Sequence, residues 1–303
     1  MATQPRDDAP AEPAPVPPEP ALDVRTTADA AADRAGVRVR ELDTTAELVA
    51  AADLAARVWK TDDTAPMDAS LMRAFAHSGN FVAGAFVADD LGNEGALAGM
   101  SVGFAAPRPA SSLHSHMTCT ADEYRDRGLG HALKLHQRAW ALRHGFTTVT
   151  WTFDPLVRRN AYFNLVKLGA TIVEYLPNHY GSMVDGLNVG DESDRLFLAW
   201  PVADAARAPE RVAVPTEYAV VLAGDAAGEP HRRDAAADRI ACQVPDDIVA
   251  LRERDPQAGR RWRHALRETL AVALEDGYTV DGFTRSGHYL LSRGRRAAAA
   301  GGG

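Results

Sequence analysis

A single stretch of the chain, residues 119–142, reads CTADEYRDRGLGHALKLHQRAWAL and constrains the fold more than any other. A strand end passes through Arg125-x-x-Gly128-x-Gly130 into Leu129, Ala132, Leu133, His136 and Trp140, the i, i+3, i+4 spacing of one buried helix face. A helix that starts at glycines leaves its first amide N–H groups unpaired and open to an anion, because no Cβ blocks the approach. Arg125 and Arg127 flank the turn, and the spacing puts Lys134 and Arg138 on the helix face away from the apolar stripe, as mobile cations. The loop lacks the third glycine of a dinucleotide fingerprint and the Gly-Lys-Ser/Thr of a Walker loop.

The chain has 303 residues and 46% hydrophobic content, enough for one sizeable core with a smaller second one or for a single elaborated domain. Acidic residues outnumber basic ones, 41 to 33, and the formal net charge of −8 argues against a general nucleic-acid or anionic-membrane surface. Anion binding therefore falls to local basic clusters. Cys119 and Cys242 lie far apart without metal-ligand spacing, which predicts buried, reduced thiols in a cytoplasmic protein and no metal. The first 36 residues, rich in Pro, Ala and acid, read as a disordered tail without a signal peptide, and residues 294–303 as a second one.

Between the tails the elements alternate. Residues 37–42 read as a half-buried strand, Thr44 and Glu47 as a capping box for an amphipathic helix, and 80–87 with 96–104 as a hairpin. The strand 113–120, the glycine turn with its helix, and the strand 147–154 follow. A helix then runs over 158–168 and ends at Gly169, with strands at 170–175 and 195–200. Residues 204–216 form a Pro- and Ala-bearing connector. Residues 217–293 form an α+β unit with four short strands and a helix that Asp255 caps and Pro256 opens.

Arg125, Gly128 and Gly130 fit every fixed position of the pyrophosphate loop of the GNAT acyltransferase superfamily, Arg/Gln-x-x-Gly-x-Gly/Ala, and the element order from 37 to 203 is similar to that of the family. The resemblance covers just over half of the chain. Further wording, TFDPL up to Leu156, NAYFNLVKLGA from Asn160 and SDR up to Arg195, resembles a little-characterised bacterial branch with a C-terminal extension. The resemblance implies an α/β fold, with a mixed, mostly antiparallel sheet flanked by helices. It implies acetyl-CoA or another acyl-CoA as co-substrate, bound by Cys119, Arg125, Arg127, Gly128, Leu129, Gly130, His131 and Asn160, with the acyl arm in a gap where the fourth and fifth strands splay. Succinyl-CoA is one donor it suggests, an amino acid one acceptor, and Tyr180, Asn188 and Arg195 border the acceptor pocket. The partner is then a small-molecule amine; no nucleic acid or membrane is expected, and a homodimer is compatible.

Transfer from a thioester to an amine needs a polarised carbonyl, a base for the amine and an acid for the departing thiolate. In the family a strand-four amide polarises the carbonyl, and a tyrosine four residues ahead of the helix-ending glycine is often the acid. Here that position is Leu165, and Tyr162 stands one turn earlier on the same face. Candidate bases are His114 and His116, on one face of the fourth strand, Glu123, and Asp154 at the end of the fifth. Beside N-acyl transfer, decarboxylation, O-acyl transfer and CoA sensing without turnover remain open.

Overall fold

The computed structural model describes residues 22–59, 66–88, 94–107, 111–181, 191–203 and 211–294. Helix α1 (Leu22–Ala35) leads into β1 (Val37–Glu41) and α2 (Thr45–Trp59). The capping box forms as expected: the Glu47 amide donates to Thr44 Oγ1 at 3.3 Å, and the Thr44 amide to Glu47 Oε2 at 2.9 Å. Helix α3 (Ala69–His77), capped by Asp68, precedes β2 (Phe81–Ala88), β3 (Glu94–Ala106) and β4 (Ser112–Thr120). Helix α4 (Leu129–Arg143) then crosses over to β5 (Thr148–Phe153); α5 (Arg158–Tyr162) continues through a wide π turn over Phe163–Lys167 to β6 (Thr171–Leu176) and β7 (Arg195–Pro201).

Among the described residues these strands form one sheet in the order β1-β2-β3-β4-β5-β7-β6. Neighbours are antiparallel except β4 and β5, whose parallel register runs Ser112↔Thr148, Leu113↔Val149, His114↔Thr150 and goes no further. The expected mixed, mostly antiparallel sheet flanked by helices is therefore present, and so is the parting of its fourth and fifth strands. A β-bulge sits at the same place. Met117 faces Val102 and Ser115 faces Gly103, so His116 is the extra residue.

One expectation is corrected. Residues 22–35 are helix, not tail: Ala28 and Ala31 are buried and α1 packs on α4, so small apolar side chains find there the surface that the isolated segment lacks. Residues 1–21 and 295–303 lie outside the described residues. The second unit shares most of its core with the first, while Tyr218, Ala241 and Leu290 form a small cluster of its own. Its strands β8 (Ala219–Gly224), β9 (Pro230–Arg232), β10 (Arg239–Gln243), β11 (Tyr278–Phe283) and β12 (His288–Arg293) form a sheet in the order β11-β12-β10-β8-β9. Helices α6 (Ile248–Arg254), α7 (Pro256–Leu266) and α8 (Val272–Glu275) accompany it, and Asp255 caps α7 as predicted, accepting from the Gln257 and Ala258 amides at 3.0 Å. Leu222, Cys242, Trp262, Leu266, Phe283 and Tyr289 belong to the same apolar cluster as Leu133, Trp151 and Leu198. The main core thus runs through both sheets.

Candidate active site

The site begins with the turn that opens α4. Asp126 and Gly128 both adopt left-handed backbone, at φ 61° and 87°, and this reverses the chain so that α4 points its first amides outward. Among the described residues no side chain caps the helix at Gly128, and a Cβ placed on Gly130 would meet nothing within 4 Å. At Gly128 a Cβ would have the Ala35 Cβ at 3.9 Å, so among the described residues no side chain fills the glycine turn. Gly130 and Arg125 line a cleft of about 940 Å³ that continues between the diverging strands past Ser115, His116, Met117 and Cys119 on β4 and Trp151, Thr152 and Phe153 on β5. The second sheet's unit supplies part of the far wall through Asp246, Thr284 and Arg285.

Of the residues expected at the cofactor, Cys119, Arg125, Gly130 and Asn160 line this cleft. Arg125 pairs with Asp122 at 2.6 Å on the surface. Gly128 and Leu129 do not line the cleft, and the Leu129 side chain is buried in the core. Arg127 turns instead to Tyr124, 5.3 Å from the ring centroid, and His131 meets Phe163 edge-on at 6.3 Å. Burial pushes the Cys119 thiol up to about 12, partly opposed by a hydrogen bond from the Met100 backbone, so Cys119 is a small wall residue rather than a nucleophile.

Among the candidate acids and bases, Tyr162 and His116 line the cleft. Tyr162 stands just before the π turn, with Lys167 Nζ 5.7 Å and Arg285 Cζ 6.0 Å from its ring, while Leu165 is buried in the core. The π turn adds a residue to that turn of helix and so changes which side chains face the cleft. His116 is exposed at the bulge, its ring 5.9 Å from Phe104, and desolvation lowers its pKa below the ordinary histidine value. His114 bonds Thr150 Oγ1 through Nδ1 at 3.3 Å; burial, and then the neighbouring His116, Lys134 and His179, push it down to about 4. Glu123 is exposed in the loop before Arg125 and does not line the cleft.

Asp154 is engaged elsewhere. Arg252 Nη2 and Arg263 Nη2 donate to its Oδ2 at 2.9 and 3.0 Å, and the Leu156 amide donates to Oδ1 at 2.9 Å. Burial alone would raise this carboxyl, but Arg263, Arg252 and Arg195 outweigh burial and hold it down at about 2. Both oxygens are occupied and the group is a poor proton acceptor at neutral pH. Its contacts join the end of β5 to α6 and α7 of the second unit. The same arginines reach Asp191, Arg263 Nε at 2.8 Å and Arg252 Nε at 3.3 Å, and Arg267 Nε donates to Asp194 at 2.9 Å.

The expected acceptor residues divide. Tyr180 OH lies 3.1 Å from Thr152 Oγ1, and the Arg195 guanidinium sits 5.4 Å from the Tyr180 ring. Arg195 is itself buried, donating to the Asp194 carbonyl at 2.8 Å, so it stands behind Tyr180 rather than in the open. Asn188 lies outside the described residues.

Lys134 departs furthest from expectation. It is buried, not a mobile cation, because α4 is covered by α1 on one side and by the parting strands on the other. Its Nζ donates to Ser115 Oγ at 2.7 Å and to Gln137 Oε1 at 3.1 Å and lies 4.2 Å from the Trp151 ring centroid, at the point where β4 leaves β5. Arg138 is likewise not at the turn: its Nε donates to the Val202 carbonyl at 2.6 Å. Helical period alone could not locate Lys134, since the hole that receives it exists only once the sheet has opened.

No family model and no curated protein matches the chain. Among solved structures it is similar to the ribosomal-protein-S18-alanine N-acetyltransferase from Escherichia coli, at 15% identity over 56% of this chain and 96% of that one, with a TM-score of 0.43. It is also similar to a GNAT superfamily phosphinothricin acetyltransferase from Sinorhizobium meliloti in complex with AcCoA, at 16% identity over 55% and 88%, TM-score 0.44. A third is an acetyltransferase of the GNAT family from Streptococcus pneumoniae, at 16% identity over 55% and 98%, TM-score 0.44.

Proposed function

We propose that the protein is an acyl-CoA-dependent N-acyltransferase that moves an acetyl or succinyl group to a small amine, an amino acid among the candidates. The observation that carries this reading is the unfilled glycine turn at the head of α4 opening directly into the gap between β4 and β5. The amides of the first turn of α4 and the Arg125 guanidinium suit a pyrophosphate, and Asn160 borders the channel that leads inward. The gap then takes the acyl-pantetheine arm, whose thioester comes to rest near the bulge at His116.

A β-bulge takes one residue off the hydrogen-bond ladder, which frees an amide of the Ser115–Met117 segment to polarise the thioester carbonyl. His116, neutral at physiological pH because its pKa is lowered, takes a proton from the acceptor ammonium, and the free amine so formed attacks the acyl carbon. Tyr162, beside Lys167 and Arg285, is the acid for the thiolate. The amine approaches from the side of Tyr180 and Thr152. Asp154 holds the end of β5 in place and takes no proton.

Titration calorimetry with CoA and acetyl-CoA tests the reading. Micromolar binding that weakens about tenfold or more in Gly130→Glu is expected, because the new carboxylate occupies open space where phosphate belongs. Absent binding by folded wild-type protein, or an unchanged affinity in the variant, would overturn it.

A further inference from the structure

The floor of the cleft holds a pair of side chains that direct transfer leaves without a task. Ser115 and Lys134 both line the cleft, 2.7 Å apart from Oγ to Nζ. Gln137 is steadied from behind, its Nε2 donating to Ser101 Oγ at 3.4 Å while Ser101 bonds Thr118 at 2.8 Å, so its Oε1 faces Lys134. Among the described residues no carboxylate pairs with this buried amine. A charge buried without a counter-ion is costly, and an apolar side chain of similar length would fill the space against Trp151 without that cost. The amine thus serves something other than packing.

Resting on the acyl-CoA reading above, the geometry points to a Ser115–Lys134 dyad that takes the acyl group onto Ser115 as an ester before the amine receives it. Lys134, as free amine, accepts the hydroxyl proton while Ser115 Oγ bonds to the acyl carbon. The C–S bond breaks, and in this route Lys134, in place of Tyr162, passes the proton to the departing thiolate, leaving CoA thiol and acyl-serine. The acceptor amine then attacks the ester carbon, the C–O bond breaks, and one amine proton returns to Ser115 Oγ by way of Lys134. Burial, which brings Lys134 down to about 7, keeps a substantial fraction of it unprotonated at neutral pH.

The test mixes the full chain with acetyl-, malonyl- and succinyl-CoA in turn, without acceptor, quenches in acid, and measures intact mass and the modified peptide. One donor is expected to add its acyl group to Ser115 and to release CoA thiol in a burst of one equivalent. Ser115→Ala should lose the adduct and about 10³-fold of the turnover while still binding CoA. Ser115→Cys should carry the same group as a hydroxylamine-labile thioester, which keeps the test decisive if the alanine variant does not fold. Lys134→Arg should fail to form the adduct although its charge and length are kept, because a guanidinium does not give up its proton. An unmodified enzyme during turnover, or full-rate turnover by Ser115→Ala, overturns the dyad and leaves the acyltransferase reading standing. Loss of CoA binding by the wild-type protein overturns both.

Discussion

Asp154→Asn separates an ion-pair role from a catalytic one. The substitution keeps the side chain's shape but removes the anion that faces Arg252 and Arg263, which are 2% and 1% exposed. Asp191 remains, so two buried guanidinium groups share one carboxylate instead of two. Breaking a buried pair from one side costs about 3–5 kcal/mol, since the remaining charge cannot recover its water. The pH dependence fixes the sign independently. The carboxyl sits at about 2 in the folded protein against an ordinary 3.8, so the unfolded state takes up its proton first as the solution is acidified. Its contribution is complete above pH 3.8 and vanishes as pH falls through 2, worth about 2–3 kcal/mol at about 1.36 kcal/mol per pH unit. Urea unfolding followed by tryptophan fluorescence should therefore show the variant about 3–5 kcal/mol less stable at neutral pH, with the gap narrowing by about 2–3 kcal/mol toward pH 2. Below its urea transition the variant should retain most of its turnover. Wild-type stability combined with abolished turnover would make Asp154 a catalytic base and refute this account.

Lys134→Met removes a group whose pKa falls from 10.5 to about 7 on folding, so the wild type gains stability over the variant by about 4–5 kcal/mol as pH rises from 7 to 10.5; denaturant midpoints of the two proteins across that range check it, and parallel curves would contradict the burial. His116→Gln should lower kcat about 10²-fold or more in steady-state assays with little change in CoA affinity. Tyr289→Phe deletes a buried hydroxyl that donates to the Pro155 carbonyl at 2.7 Å, which should cost about 1–2 kcal/mol in urea without changing CoA affinity.

Features set by neighbouring residues were legible in the sequence, and features set by partners far along the chain were not. Thr44 with Glu47, Asp255 with Pro256, and the alternation of Val149, Trp151 and Phe153 each encode their element within a few residues. The glycine turn is of this kind as well, because left-handed backbone at Gly128 is a local demand. Helix α1 is different: its alanines are too small to announce a buried face, and only α4 provides the surface they cover. Asp154 before Pro155 reads equally as a base or a turn, since the arginines that decide the matter lie 98 and 109 residues downstream. Lys134 is the extreme case. A helical wheel puts it opposite the apolar stripe, yet the opening of the sheet makes that side interior too.

The same opening explains why the second sheet docks where it does. A strand that leaves its neighbour halfway loses the ladder on one edge, and β5 beyond Thr150 keeps only β7, through pairs such as Phe153↔Leu196. Its end is then held from below by Asp154 to Arg252 and Arg263, by Tyr289 to Pro155, and by Arg158 to Asp246 and the Arg285 carbonyl. These contacts fall on 154–158, the residues that carry β5 into the helix bearing Tyr162 and the π turn. Width at the cleft and position of the phenol are thus set by one short segment pinned across the interface. The second unit, which also lends Asp246, Thr284 and Arg285 to the wall, braces the open half of the first sheet.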